Sequence, residues 1–568
     1  MKRLALGILS ACSICVFGFQ PATSLALAPS QSPKPAAGWP QMAHDAQRTG
    51  YTPVEPKLPW RFAWHWKPED MYSMPNGLHI VTGDGKVYVP GGNQGLYAVN
   101  LSDGKTVWRF DSGHYIEEAA AFDANTKSVL VGDRSGRLYR LDAGTGKVQA
   151  TYQADSAIRT GVLLVDAHAY ITTEAGELHK VEIASMSNVW IYDAGVKSVT
   201  AASYSPSRRL LIFGAADLTV HAVNELDGSR KWAKKPPTPH SVTPCGLGSV
   251  APSDKPYSYQ YGFPVIAESV GVVFIRMRLG EGSTEWLWAV GPKGRFPTTN
   301  AEIKRYLREN RNLQSLFALS LDSGNEAFIP AVGNGGIDSG FAFDCGSVIA
   351  PGVISTIGPM PVVKTFPDGS QAAYIQFRNG DVQDKEWDGR WDSHPGEMVL
   401  SPLPGWQIGD MRFIPAPTHD TQISDEQGFG SMAGNTYFIN HWMTINPITI
   451  TDRSPRKGKA YAQPLGASFG PIILRRARPV THVPGSSNPR SRYFPGPIAS
   501  WCDGRWYERE GFWMYWMEMD PPTQPNCRPD GSGDGYGDAH RPRYTVVSDG
   551  YILVVGHGGD VFALRHAP

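Results

Sequence analysis

Residues Val87–Asp111 read VYVPGGNQGLYAVNLSDGKTVWRFD, and the chain repeats this pattern about every 40 residues. The next units are Val129–Tyr152, Tyr170–Tyr192 and Leu210–Trp232. Equivalent positions lie 42, 40 and 42 residues apart, at Tyr97, Tyr139, His179 and His221. A fixed period with strand-type composition indicates repeated small sheets, because one such sheet cannot bury both of its faces alone.

Each unit begins with a short apolar run, and a Gly-rich turn and an alternating strand follow it. Short apolar runs bounded by Gly, Asn and Asp are typical of buried strands, and Gly and Asn supply the positive φ that tight hairpins need. Eight opening strands can be placed, near Tyr88, Leu130, Tyr170, Leu211, Phe274, Tyr374, Tyr437 and Ile552. We therefore predict an all-β fold, a β-propeller of eight four-stranded blades with loop and helix insertions in the later blades.

The last unit ends at Leu564 without strands to follow it, whereas residues Phe62–Trp66 are apolar and extended in character. We expect this N-terminal segment to complete the last blade and close the ring, which also removes open sheet edges. A bulky residue recurs four positions after the second turn of each unit, at Trp108, Trp190, Trp232 and Phe328, with Ala150 in one unit. Large rings dominate core burial, so we expect these side chains to pack between neighbouring blades.

The motifs at Leu96–Trp108 and Leu138–Val148 resemble the repeat of the pyrroloquinoline-quinone-type (PQQ-like) propeller family. The stretch Trp39–Gly50, WPQMAHDAQRTG, resembles the segment that precedes such propellers. The resemblance is clear over Trp39–Trp232 and recognisable at Leu316–Phe328 and Tyr551–Leu564. It implies the fold, but the family includes quinone-dependent dehydrogenases as well as members without cofactor, such as outer-membrane assembly lipoproteins.

The enzymes of this family often carry two adjacent cysteines against the quinone, and a Glu, an Asn and an Asp around calcium. No two cysteines are adjacent here. We therefore expect no quinone, and we predict a non-catalytic binding or scaffold module for a protein or glycan partner. The alternative is a quinoprotein-like oxidoreductase that uses PQQ and calcium, with Asp425, Glu426 or Asn440 in the calcium set. A hydrolase or lyase that uses His394, His419 or His441 is a third hypothesis.

Residues 1–28 have the pattern of a signal peptide, with Lys2 and Arg3, an apolar run and the small-x-small stretch Ala26–Ala28. We expect a lead segment over 29–50 and one propeller over 51–568, with insertions at about 276–315, 379–430 and 452–545. The product would be exported, periplasmic or extracellular. Alternatives are an uncleaved anchor and a lipid-anchored protein, since Leu9–Cys12 resembles a lipoprotein box.

The formal net charge is zero, with 53 basic and 53 acidic residues. No global field would attract nucleic acid, and we expect no membrane span in the mature chain and a monomer. Four cysteines remain after cleavage of residues 1–28, namely Cys245, Cys345, Cys502 and Cys527. An even number in an exported protein suggests two disulfides, and the three possible pairings stay open. Proximity favours Cys502–Cys527, which leaves Cys245–Cys345.

Interruptions of the repeats are candidate functional regions. A basic helix is predicted from about Thr298, with either a solvated or a partner-binding face. His394 with Glu397 can ligate a metal, and His419, Asp425, Glu426 and His441 can serve acid–base chemistry or bind a cation, although polar surface loops explain both groups as well. The aromatic cluster Trp506–Trp516 reads as buried packing or as a glycan platform.

The stretch Asp530–Asp538, DGSGDGYGD, is the strongest chemical motif. The candidate metal site comprises Asp530, Ser532, Asp534, Tyr536 and Asp538, with Gly535 at the position of the sharp turn, so the loop resembles a calcium loop of the EF-hand type. Arg541 takes the place of the bidentate Glu, and no apolar helices flank the loop. A Gly/Asp-rich turn without metal is the equal alternative, and bound calcium would brace the loop.

If calcium braces this loop, Asp534→Ala should abolish the rise in melting temperature that calcium gives to the wild-type protein, because a ligand that binds only the folded state stabilises it. The measurement is a thermal melt with calcium and with chelator. A variant that keeps the full calcium-dependent rise would show that the site is not here.

Overall fold

The computed structural model describes residues 38–57, 60–69, 79–237, 259, 262–277, 300–309, 311, 314, 316–331, 343–344, 347–348, 360–378, 393–413, 430–440, 445–450, 462–464, 507–509, 512–514, 542–556 and 559–566. Residues Ala37–Pro568 form one unit. Eight antiparallel sheets make a ring, which confirms the predicted eight-bladed propeller. We number the blades 1 to 8 from the sheet that begins at Val81.

Each of the first four blades has four strands, from the innermost to the outermost. The strands of blades 1 and 2 are Val81–Gly83, Lys86–Pro90, Leu96–Asn100 and Thr106–Phe110, then Ala121–Asp123, Ser128–Gly132, Arg137–Asp142 and Val148–Gln153. The strands of blades 3 and 4 are Leu163–Val165, His168–Thr172, Glu177–Glu182 and Ser187–Asp193, then Ser203–Ser205, Leu210–Gly214, Val220–Asn224 and Arg230–Lys234.

The later blades keep this order around their insertions. The strands of blades 5 and 6 are Val265–Ala267, Val272–Arg276, Leu316–Ser320 and Glu326–Phe328, then Val362–Thr365, Gln371–Arg378, Ser393–Val399 and Met411–Phe413. Blade 7 has Ser431–Ala433, Thr436–Asn440, Ile445–Ile450 and Ala462–Pro464, with Tyr51–Thr52 parallel to its innermost strand. Two small hairpins pair Phe343–Asp344 with Ser347–Val348 and Tyr507–Arg509 with Phe512–Met514.

Blade 8 combines the two ends of the described chain. Its first three strands are Pro542–Ser548, Tyr551–Gly556 and Val561–His566, and its outermost strand is Trp60–Trp66. Trp60 pairs with His566 and Trp66 with Val561 in an antiparallel register. The predicted closure of the ring by the N-terminal segment is therefore confirmed.

In blades 1 to 4 the sequence pattern located three strands and missed the innermost strand, and in blades 6 and 7 it located only the second strand. The apolar run that includes Tyr88 is the second strand of blade 1, because Val81–Gly83 precedes it and pairs with it. The inner strands described in blades 1 to 5 are only three residues long. They are too short to show an alternating pattern, so the axis of the ring was not visible in the sequence.

The stretch 39–50 follows the inside of the ring and accepts a backbone N–H from one inner strand after another. Carbonyl oxygens of this stretch accept the amides of Thr82, Phe122, Tyr204, Ile266, Val363 and Met432 at 2.7 to 3.0 Å, and the side-chain oxygen of Gln41 accepts Leu164 at 2.9 Å. These seven residues occupy the same place in blades 1 to 7. The lead segment thereby satisfies amides that no sheet partner reaches.

Arg48 anchors the same stretch at its centre. Its side chain is buried, and its guanidinium donates to the carbonyl oxygens of Met42 at 2.7 Å, Ala202 at 3.3 Å and Val162 at 3.4 Å. Burial lowers the pKa of Arg48 to about 10, against the opposing effects of Asp45 and Glu118. The guanidinium thus stays charged at neutral pH and ties blades 3 and 4 to the inner segment.

The recurring tryptophans pack between blades, as predicted. Each indole lies over a glycine of the next blade and donates to a carbonyl there, as Trp108 does to Ala143 at 3.1 Å. The ring-to-glycine pairs are Trp64 with Gly104, Trp108 with Gly146, Trp190 with Gly228 and Trp232 with Gly324. A Cβ on any of these glycines would meet the ring at 2.5 to 2.8 Å, and each glycine has positive φ. Trp64 was not recognised as a member of the set.

Between blades 2 and 3 the large and the small residue of this pair are exchanged. Ala150 stands where the other blades have an aromatic ring, and Met186 of blade 3, at φ +52°, stands where they have glycine. Ala150 packs against the cluster that contains Met186. The side chain of Met186 thus fills the volume that an aromatic ring at position 150 would occupy.

This exchange predicts a compensating pair of substitutions. Met186→Gly should destabilise the fold by about 2–4 kcal/mol through the cavity it leaves. Ala150→Trp should cost about 1–3 kcal/mol through overpacking. The double variant should lose less stability than the sum of the two single losses, by about 1 kcal/mol or more. Urea unfolding of the four proteins measures the coupling, and additive effects would contradict the interpretation.

Candidate binding face at the channel mouth

The connections between blades gather loops on one face of the ring. Each connection runs from the outermost strand of one blade to the innermost strand of the next. Its backbone is hydrogen-bonded to the turn between the second and third strands of that next blade. The repeated bonds join Arg134 N to Tyr115 O at 3.0 Å, Glu174 N to Ala157 O at 2.9 Å and Ala216 N to Lys197 O at 2.8 Å. The side chains at these positions therefore share one rim, which we call the mouth.

A chain of ion pairs runs along the mouth over blades 1 to 4. We define the charged belt as Glu117, Arg134, Arg159, Glu174 and Lys197. The two oxygens of Glu117 accept from Arg134 Nε at 2.9 Å, from Arg159 Nε at 2.8 Å and from an Arg159 terminal nitrogen at 3.0 Å. Glu174 then joins Arg159 at 3.2 Å to the ammonium of Lys197. Glu117–Arg134 and Arg159–Glu174 connect a loop to the turn of the following blade. Glu117–Arg159 joins two successive loops, and Glu174–Lys197 joins a turn to the loop that follows its blade.

The pairing shifts the ionisation of the belt in the direction that strengthens it. The hydrogen bonds to Glu117 raise the pKa of Arg159, and the hydrogen bond from Lys197 lowers the pKa of Glu174. Arg134 and Lys197 are 44% and 45% exposed, so their outer sides remain open to a partner. The belt is therefore charged at neutral pH and half accessible.

Below the belt, the axis carries an acid–base pair. The Nδ1 atom of His79 lies 3.0 Å from an Oε1 of Glu118, the residue after Glu117, and His79 is buried. The imidazole makes edge contacts with Tyr544 at 4.9 Å and Phe263 at 5.8 Å between ring centroids. His79, Phe263 and Tyr544 hold equivalent places in blades 1, 5 and 8, four residues before the last residue of each inner strand.

The other side of the axis is lined by small residues that make room for Met42. A Cβ on Gly161 would lie 2.9 Å from the sulfur of Met42, and Ala119 and Ala201 hold the equivalent positions of the neighbouring blades. The lead segment therefore fills the ring beneath the mouth on this side. The described part of the mouth can bind a polar surface through its belt, and His79 with Glu118 can exchange a proton at the axis.

Most residues singled out in the sequence lie outside the described residues. These are Cys12, Cys245, Cys345, Cys502, Cys527, Asp425, Glu426, His419, His441 and the loop that contains Asp530, Ser532, Asp534, Tyr536 and Asp538. Asn440 ends a strand of blade 7, as predicted, and His394 lies on the third strand of blade 6. In the ranges that the structure covers, no three His, Cys, Asp or Glu side chains are placed to hold a metal, and no helix is long and apolar enough to cross a membrane.

Two predicted features have local structural partners. Glu397 is buried beside Arg412, whose guanidinium lies at 3.3 Å, and accepts the hydroxyl of Tyr374 at 2.8 Å. The predicted basic helix is Asn300–Glu309. Its Lys304 reaches Asp410 of blade 6 at 2.6 Å, whereas Arg305 and Arg308 are exposed. One side of the helix thus binds the ring and the other is solvated.

Sequence reasoning missed the belt and the axial pair. Arg134 and Glu174 lie 40 residues apart and Glu117 and Arg159 lie 42 apart, so both follow the period of the repeat. Aligning loop positions as well as strand positions would have found these charges. His79 carries no such signal, because its neighbours in space belong to distant blades.

Comparison with known proteins gives one family match. Residues 92–328 match the family model described as "Outer membrane protein assembly factor BamB". No curated protein matches the chain. Among solved structures, BamB from Moraxella catarrhalis is 11% identical with a TM-score of 0.42, over 89% of this chain and 100% of that chain.

Two enzymes are similar to the same extent. A quinohemoprotein alcohol dehydrogenase from Pseudomonas putida HK5 is 14% identical with a TM-score of 0.44, over 76% of this chain and 72% of that chain. The corresponding enzyme from Comamonas testosteroni is 12% identical with a TM-score of 0.42, over 72% and 71%. Over residues 92–328 this chain is similar to the PQQ-like β-propeller repeat family.

Proposed function

We propose that this chain is an exported binding propeller whose mouth docks onto a protein partner, of the outer-membrane assembly class that the matching family model describes. The charged belt is the observation that carries the proposal. It occupies one face of four consecutive blades, and all five of its residues lie within the matched range 92–328.

The belt suits protein recognition because its charges are fixed but not fully buried. Arg159 is held by two carboxylates, so little side-chain entropy remains to be lost when a partner binds. The exposed sides of Arg134 and Lys197 can pair with acidic groups, and those of Glu117 and Glu174 with basic groups. Such mixed patterns select partners and accelerate association more than they add affinity.

The same pairing argues against a carboxylate-rich quinone at this part of the mouth. A quinone of that kind needs cations that are not already neutralised. Here Arg159 is paired with Glu117 and Glu174, and Lys197 is paired with Glu174. Binding an anion would therefore require these ion pairs to break. Breaking them costs free energy, because the carboxylates now compensate for the partial loss of water around the Arg159 and Lys197 charges.

A quinoprotein-like oxidoreductase is the second candidate, and one observation favours it. His79 and Glu118 form a 3.0 Å pair at the axis. A dehydrogenase needs a base that removes a hydroxyl proton from its substrate, and an imidazole held by a carboxylate is suited to that role. His79 would act as the base and the carboxylate of Glu118 would orient it, beneath a quinone bound at the mouth.

A titration decides between the two candidates. The purified mature protein is mixed with pyrroloquinoline quinone in calcium-containing buffer, and tryptophan fluorescence and visible absorbance are followed. We expect no saturable quenching. Saturable quenching with the spectrum of bound quinone would overturn the binding proposal in favour of the oxidoreductase.

Photo-cross-linking in cells tests the partner directly. With a photoreactive residue in place of Arg134, we expect one recurrent protein adduct that mass spectrometry identifies. Adding Lys197→Glu should decrease its yield by roughly tenfold, the equivalent of about 1.4 kcal/mol. Lys105→Glu is the matched control, since Lys105 is 82% exposed on a turn at the opposite end of blade 1. No recurrent adduct, or an equal loss with both substitutions, would contradict the role of the mouth.

A further inference from the structure

Among the described blades, blade 3 has an outermost strand that exposes two large apolar side chains on one face, next to blade 2, whereas blades 1 and 2 expose one each. Ala150 replaces the aromatic ring here, and the neighbouring outer strand Ser187–Asp193 exposes Val189 and Ile191 at 47% and 44%. These two side chains lie on the face of blade 3 that is directed to blade 2, since Trp190 and Tyr192 on the other face contact blade 4. We call this surface the rim groove.

The outer edge of this strand lacks the features that usually protect an edge. Ser187–Asp193 is the outermost strand of its sheet, and it contains no lysine, arginine or proline over seven residues. The outermost strand of blade 4, Arg230–Lys234, carries three cations in five residues, with Lys231 at the position equivalent to Val189. Charged residues on an edge prevent another strand from pairing with it. Blade 4 is protected in this way and blade 3 is not.

The upper end of the rim groove is acidic. Asp193 pairs across the sheet with Glu177, and Asp155 lies at the start of the connection from blade 2 to blade 3. Burial is the main cause that raises the pKa of the Tyr152 hydroxyl, and the nearby carboxylates of Asp155 and Glu177 raise it further. In the part of the chain that the structure describes, Glu177 pairs with His179, and no lysine or arginine forms an ion pair with Asp155, Glu177 or Asp193. The carboxylates at this end are complementary to a cation.

We propose that the rim groove binds an extended segment of a partner protein by β-strand addition to Ser187–Asp193. The backbone of the segment pairs with the free edge, its alternate apolar side chains lie on Val189 and Ile191, and its lysine or arginine lies beside Asp193 and Asp155. Main-chain bonds supply affinity, and the apolar and acidic positions supply specificity. The proposal is independent of the mouth, because it uses another surface of the ring.

The test uses the full chain and a synthetic probe. The probe is a fluorescein-labelled, end-blocked heptapeptide with lysine at both ends and alternating valine and threonine between them. We expect a saturable rise in anisotropy, and slower hydrogen exchange of the amides in Ser187–Asp193. Val189→Lys should weaken binding by roughly tenfold or more, as expected from the loss of about 1.4 kcal/mol. This variant copies Lys231 of blade 4 at an exposed site, so the fold should be retained.

Two controls keep the outcome decisive. Val107→Lys changes the equivalent exposed position of blade 1 and should leave binding unchanged. The same peptide with glutamate at both ends should bind more weakly, because the groove end is acidic. Absence of saturable binding by the lysine peptide, or equal binding by wild type and Val189→Lys, would overturn the proposal. Equal binding of the two peptides would overturn its charge requirement.

Discussion

In a ring of sheets, the innermost strands have a second edge that faces the axis and finds no neighbouring strand. Here the lead segment meets this constraint, since residues 39–50 accept amides from the inner strands of seven blades in turn. Buried backbone donors without partners cost roughly 1–3 kcal/mol each, so the segment is part of the fold and not an appendage. The small residues Ala119, Gly161 and Ala201, the buried Arg48 and the position of Met42 all follow from this arrangement.

The fold was predictable because it depends on local and repeated signals. The glycine and tryptophan positions represented by Gly146 and Trp108 recur at fixed offsets in successive blades. The outermost strand of blade 8 was inferred from an apolar segment near Trp64 that had no place in the regular repeats. What could not be predicted depends on contacts between distant parts of the chain. The three-residue inner strands carry no pattern, and the exchange between Ala150 and Met186 becomes meaningful only when the two blades are seen side by side.

The candidate site divides in the same way. Arg159 and Glu117 lie on loops at repeated positions, so their proximity follows from the blade geometry, but their pairing depends on how two loops approach one another. His79 meets Tyr544 over more than 460 residues of chain, and no local pattern encodes that contact. The ring thus creates two chemically different surfaces, a charged one where loops meet and an apolar one on the outermost strand of blade 3.

The last blade joins Trp60–Trp66 to three strands that lie beyond residue 541. A chain that is synthesised from its N-terminus exposes Trp64 long before the partner strands exist, and this sheet cannot form until residues 542–566 have been made. Until then the unpaired segment is available to chaperones and proteases, which act on exposed apolar strands. Closure therefore works as a check on synthesis, since only a chain that extends to residue 566 pairs this segment.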